Sequence, residues 1–189
     1  LLPEDARLFP LERIGEASRA FRCHDFLNAS NYVDTEPATW RLALDAVDGE
    51  LDTWQASRSL MQFVHKRLAY EPRSTSVHTH MREVLAHSKG VCQDFAHVSL
   101  GMYRALKIHA LYVSGYLATE NASATHAWIE IFIPGIGWHG LDPTHNRQVN
   151  DTYLKLAVGR DYADVAPISG HYKGTQGRTM EVSVRIQTG

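Results

Sequence analysis

Apolar positions in the first half of the chain recur with the spacing of amphipathic helices. Trp40, Ala43, Leu44 and Val47 fall at i, i+3, i+4 and i+7, and Trp54, Met61, Val64 and Leu68 line a second face behind a cap at Asp52 or Thr53. Glu71 to His80, with Pro72 and several Ser and Thr residues, breaks the rhythm and reads as a loop before a short helix from Met81 to His87. Phe95, Val98, Met102, Ala105 and Leu106 mark one face of a longer helix running from Cys92 to Lys107. The period then changes. Leu111 to Ala118, His126 to Ile133 and Gly137 to Asp142 are rich in β-branched and aromatic residues and are punctuated by Gly115, Pro134-Gly135 and Gly137, which predicts strands. Met180, Val182, Val184 and Ile186 alternate with Glu181, Ser183, Arg185 and Gln187, the pattern of a half-buried closing strand. Helices first and strands later predict an α+β fold, with the helical first half packed on a mostly antiparallel sheet.

Length and charge narrow the function classes. The 189 residues suit one domain with a real core. With 19 Lys and Arg against 21 Asp and Glu and no basic stripe, nucleic acid is not an expected partner. No apolar run reaches membrane-spanning length, so no membrane partner is expected either. The first residue is Leu1, which suggests a trimmed start from which a targeting signal is not readable. Cys23 and Cys92 cannot build a disulfide framework, and a nucleophilic thiol must stay unpaired, so a reducing, cytoplasmic setting is the expectation.

The chemistry concentrates around Cys92. Ser88 to His97 reads as a glycine-led turn running into a helix with Cys92 at its start. A thiol attacks as thiolate, and backbone N–H groups at a helix N-terminus, together with an imidazolium, favour that form. The same N–H groups suit an oxyanion on the attacked carbonyl. Asp94 in the first turn opposes thiolate formation, so its carboxylate is expected to turn away and cap or pair elsewhere. On a strand, His126, Trp128, Glu130 and Phe132 share one face while Ala127, Ile129, Ile131 and Ile133 form the core face. His126 would then meet a helix N-terminus packed on the opposite face. Trp138, Gly140 and Asp142 share a face of the next strand, and a hairpin through Pro134 to Gly137 brings Asp142 beside His126, the place of a group that orients an imidazole. Taken singly, each residue has a structural explanation: a buried thiol, a satisfied strand histidine, a turn aspartate before proline. Their order and neighbours together favour catalysis.

These blocks, Gly90-Val91-Cys92-Gln93-Asp94-Phe95, Tyr112 to Tyr116, His126 to Glu130, Trp138 to Asn146 and Gly159 to Val165, resemble the bacterial members of the transglutaminase-like superfamily. The resemblance runs from Trp54 to His171. It implies a papain-like core with Cys92 as nucleophile, His126 as general base and acid, and Asp142 as orienter. Residues 51–189 would be the catalytic core, and residues 1–50 a helical extension or the remnant of a β-rich upstream region, which would be the core's partner within the same polypeptide. Lys107-Ile108-His109-Ala110-Leu111 departs from the family's usual Gly-Ile-Pro-Ala-Arg, which should alter the helix-to-strand turn and leave the triad intact. Members of the family include peptidases, amidases, cross-linking enzymes and inactive scaffolds.

Other clusters add little. His78, His80 and His87 lie without a cysteine pair or a His-Glu-x-x-His pattern, no EF-hand loop or phosphate-cradling glycine motif is present, and no metal or cofactor is expected. Gly159 to Val165 reads as a hydrogen-bonded loop over the sheet, with a wall of the substrate cleft as the alternative. Trp128, Trp138, Tyr116 and Tyr70 are core aromatics or the lining of an acyl pocket. The expected activity is thiol-dependent acyl transfer on amide bonds of a peptide or protein substrate, with hydrolysis favoured. Glutamine cross-linking and a non-catalytic peptide-binding module are the alternatives.

Overall fold

A computed structural model describes residues 1–20, 23–118 and 125–166. The closing strand expected over Met180–Gln187 lies outside them. Within them run helices α1 (Ile14–Ala20), α2 (Pro37–Val47) and α3 (Thr53–Arg67), a short strand β1 (Ala69–Tyr70), helix α4 (Met81–His87), a short strand β2 (Lys89–Gly90) and helix α5 (Cys92–Ala105). Strands β3 (Ala110–Leu117), β4 (Thr125–Ile133), β5 (Gly137–Asp142), β6 (Arg147–Gln148) and β7 (Tyr153–Gly159) follow, then one helical turn, α6 (Tyr162–Val165). None of the described helices is long and apolar enough to cross a membrane.

Local chemistry sets the helix ends. Asp52 caps α3 by accepting from the Trp54 and Gln55 N–H groups at 2.9 and 3.2 Å, while its other oxygen takes those of Leu8 and Phe9 at 2.8 and 3.0 Å. One carboxylate therefore starts a helix and pins the N-terminal segment to it. Helix α2 opens with Pro37, but its buried face is Thr39, Ala43 and Val47, and Trp40 is 47% exposed. The expected apolar face is thus rotated, because the Thr39 hydroxyl points inward to Asp34 at 2.5 Å.

Helix α5 is the hub. An apolar stripe was expected on one face, yet every residue from Gln93 to Ala105 is buried, because α2, α3 and α4 pack on one side and β3 and β4 on the other. Its Arg104 is buried as well. The guanidinium donates twice to Ala110 O at 3.0 and 2.9 Å, to Asn28 O at 3.1 Å and to Arg160 O at 2.5 Å, tying three segments to the helix.

The sheet is antiparallel throughout, in the order β6-β5-β4-β3-β7. Ala127, Ile129, Ile131 and Ile133 join the main core with α5, while Trp128, Leu111 and Val113 form a second cluster with Trp138, Val149 and Tyr153. The alternation expected for β4 is therefore present. One inference drawn from it is corrected: α5 packs on the aliphatic face, so its N-terminus meets His126 at the end of the sheet, where β4 begins, and not across the opposite face. Strand β7 was not anticipated. Leu154, Leu156 and Val158, at alternate positions, are exposed, with a register shift between Ser114 and Gly115 in the pairing with β3, so the apolar alternation does not mark an inward face.

The segment from Gly159 to Val165 serves the fold. Asp161 accepts from Ala163 N–H at 2.9 Å and Tyr32 N–H at 3.0 Å, Arg160 pairs with Asp164 at 2.8 Å, and the Tyr162 N–H donates to His97 Nε2 at 3.2 Å.

Candidate active site

Cys92 is the first residue of α5, delivered there by the parallel pairing of β1 with β2, which sets Tyr70 opposite Gly90. Asp94 fixes the turn. Its Oδ2 accepts from the Val91 N–H at 2.7 Å and the Thr75 hydroxyl at 2.6 Å, so the carboxylate caps the helix, as expected, and also holds the 71–80 loop. Burial raises the Asp94 pKa against those hydrogen bonds. Gly90 is needed for space rather than for a turn conformation: a Cβ there would sit 2.6 Å from both Cβ and Oδ2 of Asp94. Gly90→Ala should therefore displace the cap and the residue two positions on. The expected cost is about 1–3 kcal/mol in chemical denaturation, with slower alkylation of Cys92. A variant with unchanged stability and unchanged alkylation would refute this role for Gly90.

The hairpin through Pro134 to Gly137 aligns β5 beside β4, and Asp142 ends β5 fully buried. His126 Nε2 lies 2.8 Å from Asp142 Oδ2, which leaves Nδ1 to face the Cys92 thiol. The His126 ring is 10% exposed and stacks on Trp128 at 6.2 Å between centroids. Burial alone would lower the His126 pKa. Hydrogen bonds and charge from Asp142 and Cys92 outweigh it and push the value up to about 9. Burial alone would likewise raise the Asp142 carboxyl, yet His126, Tyr153 and His145 hold it well below the usual carboxylate range. The arrangement thus favours a carboxylate beside an imidazolium, with the Cys92 thiol next to the ring.

All three sequence-predicted residues meet here. Two more were missed. Asp142 Oδ2 also accepts from the Tyr153 hydroxyl at 2.7 Å and from His145 Nδ1 at 2.7 Å, and Arg147 in turn donates to the Tyr153 oxygen at 2.7 Å. A signal for His145 existed: Asp142 Oδ1 takes the N–H groups of Thr144 and His145 at 2.9 and 3.2 Å, the turn an Asp-Pro-Thr-His string favours. Tyr153 came from the unanticipated strand. His65 secures the same turn through Nδ1, 3.1 Å from Thr144 O. Among the aromatics considered for an acyl pocket, Trp128 is core, while Tyr70 is largely exposed near Cys92, its pKa raised by partial burial and by the negative charge an ionised Cys92 would carry.

The histidines weighed for a metal are dispersed into other work. His78 bonds to the Tyr32 hydroxyl at 2.9 Å and His80 caps α4. Among the described residues, the group whose ligand atoms converge is instead His126, Asp142 and His145.

Comparison with known proteins agrees with this architecture. The chain is 38% identical over 143 residues to an uncharacterized protein of Mycobacterium tuberculosis, covering 68% of this chain and 46% of that protein. It is 37% identical over 133 residues to one of Mycobacterium leprae, covering 66% and 47%. The chain spans about half the length of the curated relatives it matches. A solved structure from Cytophaga hutchinsonii, described as a candidate cysteine protease, superposes with a TM-score of 0.72 at 27% identity, covering 84% of this chain and 55% of that one. The sequence profile of the transglutaminase-like superfamily matches residues 41–143, which run from α2 to just past Asp142 and include all three residues of the thiol–imidazole–carboxylate set. On that match, over more than half its length, this chain belongs to the transglutaminase-like superfamily.

Proposed function

We propose that the protein carries out thiol-dependent acyl transfer on amide bonds of a peptide or protein substrate, with water as the usual acceptor. The observation that carries this reading is the engagement of His126 Nε2 by buried Asp142, which turns the other ring nitrogen to a thiol at a helix N-terminus. Cys92 thiolate attacks the carbonyl carbon. Asp94 and Phe95 already donate to Val91 O, so the Cys92 and Gln93 N–H groups are those left to hold the oxyanion. As the C–N bond breaks, His126 gives the Nδ1 proton to the leaving amine, and a thioester remains on Cys92. The neutral imidazole then takes a proton from water as the water oxygen attacks the thioester, and the thiolate leaves.

Water is favoured because it needs no second binding site beyond His126, whereas an amine acceptor does. The test is a glutamine-containing peptide and a peptide library, each with and without excess primary amine, read by mass spectrometry for new termini, deamidation and amine adducts. Hydrolysis products should dominate. Dominant adducts at modest amine concentration would make cross-linking the function and leave the residue roles in place.

A further inference from the structure

His145 turns the buried carboxylate into more than the third member of a triad. His126 Nε2, Asp142 Oδ2 and His145 Nδ1 all lie within 4.8 Å of one another, and the ring centroids of the two imidazoles are 5.1 Å apart. Two histidine nitrogens within hydrogen-bond distance of one carboxylate oxygen supply the donor types of a three-ligand zinc site with an open fourth position. The supports such a site requires are present. Asp142 Oδ1 is held by the Thr144 and His145 N–H groups, so Oδ2 could turn from hydrogen bonds to a metal without freeing the carboxylate. The His126 ring is fixed against Trp128, and His65 braces the turn that carries His145. Asp142 is fully buried, but His145 is 43% exposed and gives the site an opening to solvent.

From this geometry we infer that His126 Nε2, Asp142 Oδ2 and His145 Nδ1 form a zinc-class inhibitory site on the side of the imidazole away from Cys92. The inference rests on the proposed function only for the word inhibitory; binding itself does not need the thiol. The proton balance is simple. His126 releases its Nε2 proton to solvent and keeps the one on Nδ1, while His145 moves its proton from Nδ1 to Nε2 and offers the Nδ1 lone pair. A metal on Nε2 holds His126 as a neutral Nδ1–H imidazole, which has no lone pair to act as a base and gives up its proton to a leaving amine far less readily than an imidazolium does, so turnover stops.

The experiment is calorimetric titration of zinc chloride, in a non-chelating buffer at neutral pH, into Cys92→Ala, which cannot bind through that sulfur. One zinc per chain should bind. His145→Ala in the same background should weaken binding by roughly tenfold or more, while His78→Ala, which disrupts the histidine pair of the 71–80 loop, should not change it. His145→Gln serves if the alanine variant melts early. In the chain with its native thiol, zinc should lower acyl-enzyme formation from a peptide substrate, and His145→Ala should remove most of that inhibition. Absence of binding to Cys92→Ala, or equal affinity after loss of His145, overturns the site. If zinc binds Cys92→Ala in a His145-dependent way although the native chain never forms an acyl-enzyme, the site stands and the proposed catalysis falls.

Discussion

Cys92→Ala and His126→Ala should each lower substrate turnover by on the order of a millionfold, and the double variant should be no worse than either alone. The reason is that the two residues act as one unit. Without the thiol there is no atom to acylate. Without the imidazole, the thiol has no base to take its proton as it attacks, and the leaving amine has no proton donor within reach. Non-additivity is the informative part of the result. Measured with an ester or amide substrate under single-turnover conditions, additive losses would mean that His126 contributes independently of Cys92, and the pairing described above would be wrong. Both variants should fold, because His126 sits at the end of β4 and Cys92 only borders the main core.

Asp142→Asn should cost roughly 10⁴-fold in activity, a loss that comes from orientation and tautomer. Asp142 Oδ2 accepts from His126, Tyr153 and His145 at once, and an amide in its place can turn an N–H toward His126 Nε2. The imidazole would then carry its proton on Nδ1 and have no lone pair for the thiol. The same substitution should drop the His126 titration midpoint, followed by NMR of the ring protons, from about 9 toward the ordinary 6.5. Stability follows with a definite sign. A folded-state pKa above the unfolded value means that the His126 contribution is full below about 6.5 and is lost as pH rises through about 9. Chemical denaturation of the native chain should therefore weaken across that window, and Asp142→Asn should show a flatter profile. A variant with full activity would move the orienting role elsewhere, and a His126 midpoint unchanged by the substitution would remove Asp142 as the cause of the raised pKa.

Much of this was legible because it depends on local rules. The cap at Asp52, the bounds of the helix from Met81 to His87 and the alternation of His126 to Ile133 follow from spacing and side-chain type, and they place Cys92, His126 and Asp142 correctly on their elements. What spacing does not encode is which face another element chooses. Trp40 looked like a core residue until the hydroxyl of Thr39 found Asp34 and rotated the helix. Helix α5 is buried all round because five neighbours, α2, α3, α4, β3 and β4, enclose it, a property of the assembly and not of its own pattern. In strand β7 Leu154, Leu156 and Val158 alternate with Lys155 and Ala157, but that apolar face is the exposed one, so the alternation points the wrong way, and Tyr153, its first residue, went unseen as a partner of Asp142. Cys23 offers a contrast to Cys92. It lies outside a regular helix, ahead of the 3-10 turn His24–Leu27.

Cys23 supplies the internal control for the central claim, that Cys92 owes its reactivity to His126 and Asp142. Both thiols are free and partly exposed, so access alone does not separate them. The measurement is iodoacetamide alkylation of the folded chain at a series of pH values between about 5 and 9, with each cysteine quantified by mass mapping, in the native protein and in His126→Ala. Cys92 should be modified much faster than Cys23 at neutral pH, and His126→Ala should bring its rate down to that of an ordinary thiol. Faster modification of Cys23 in the native chain, or a Cys92 rate that ignores loss of His126, would contradict the account.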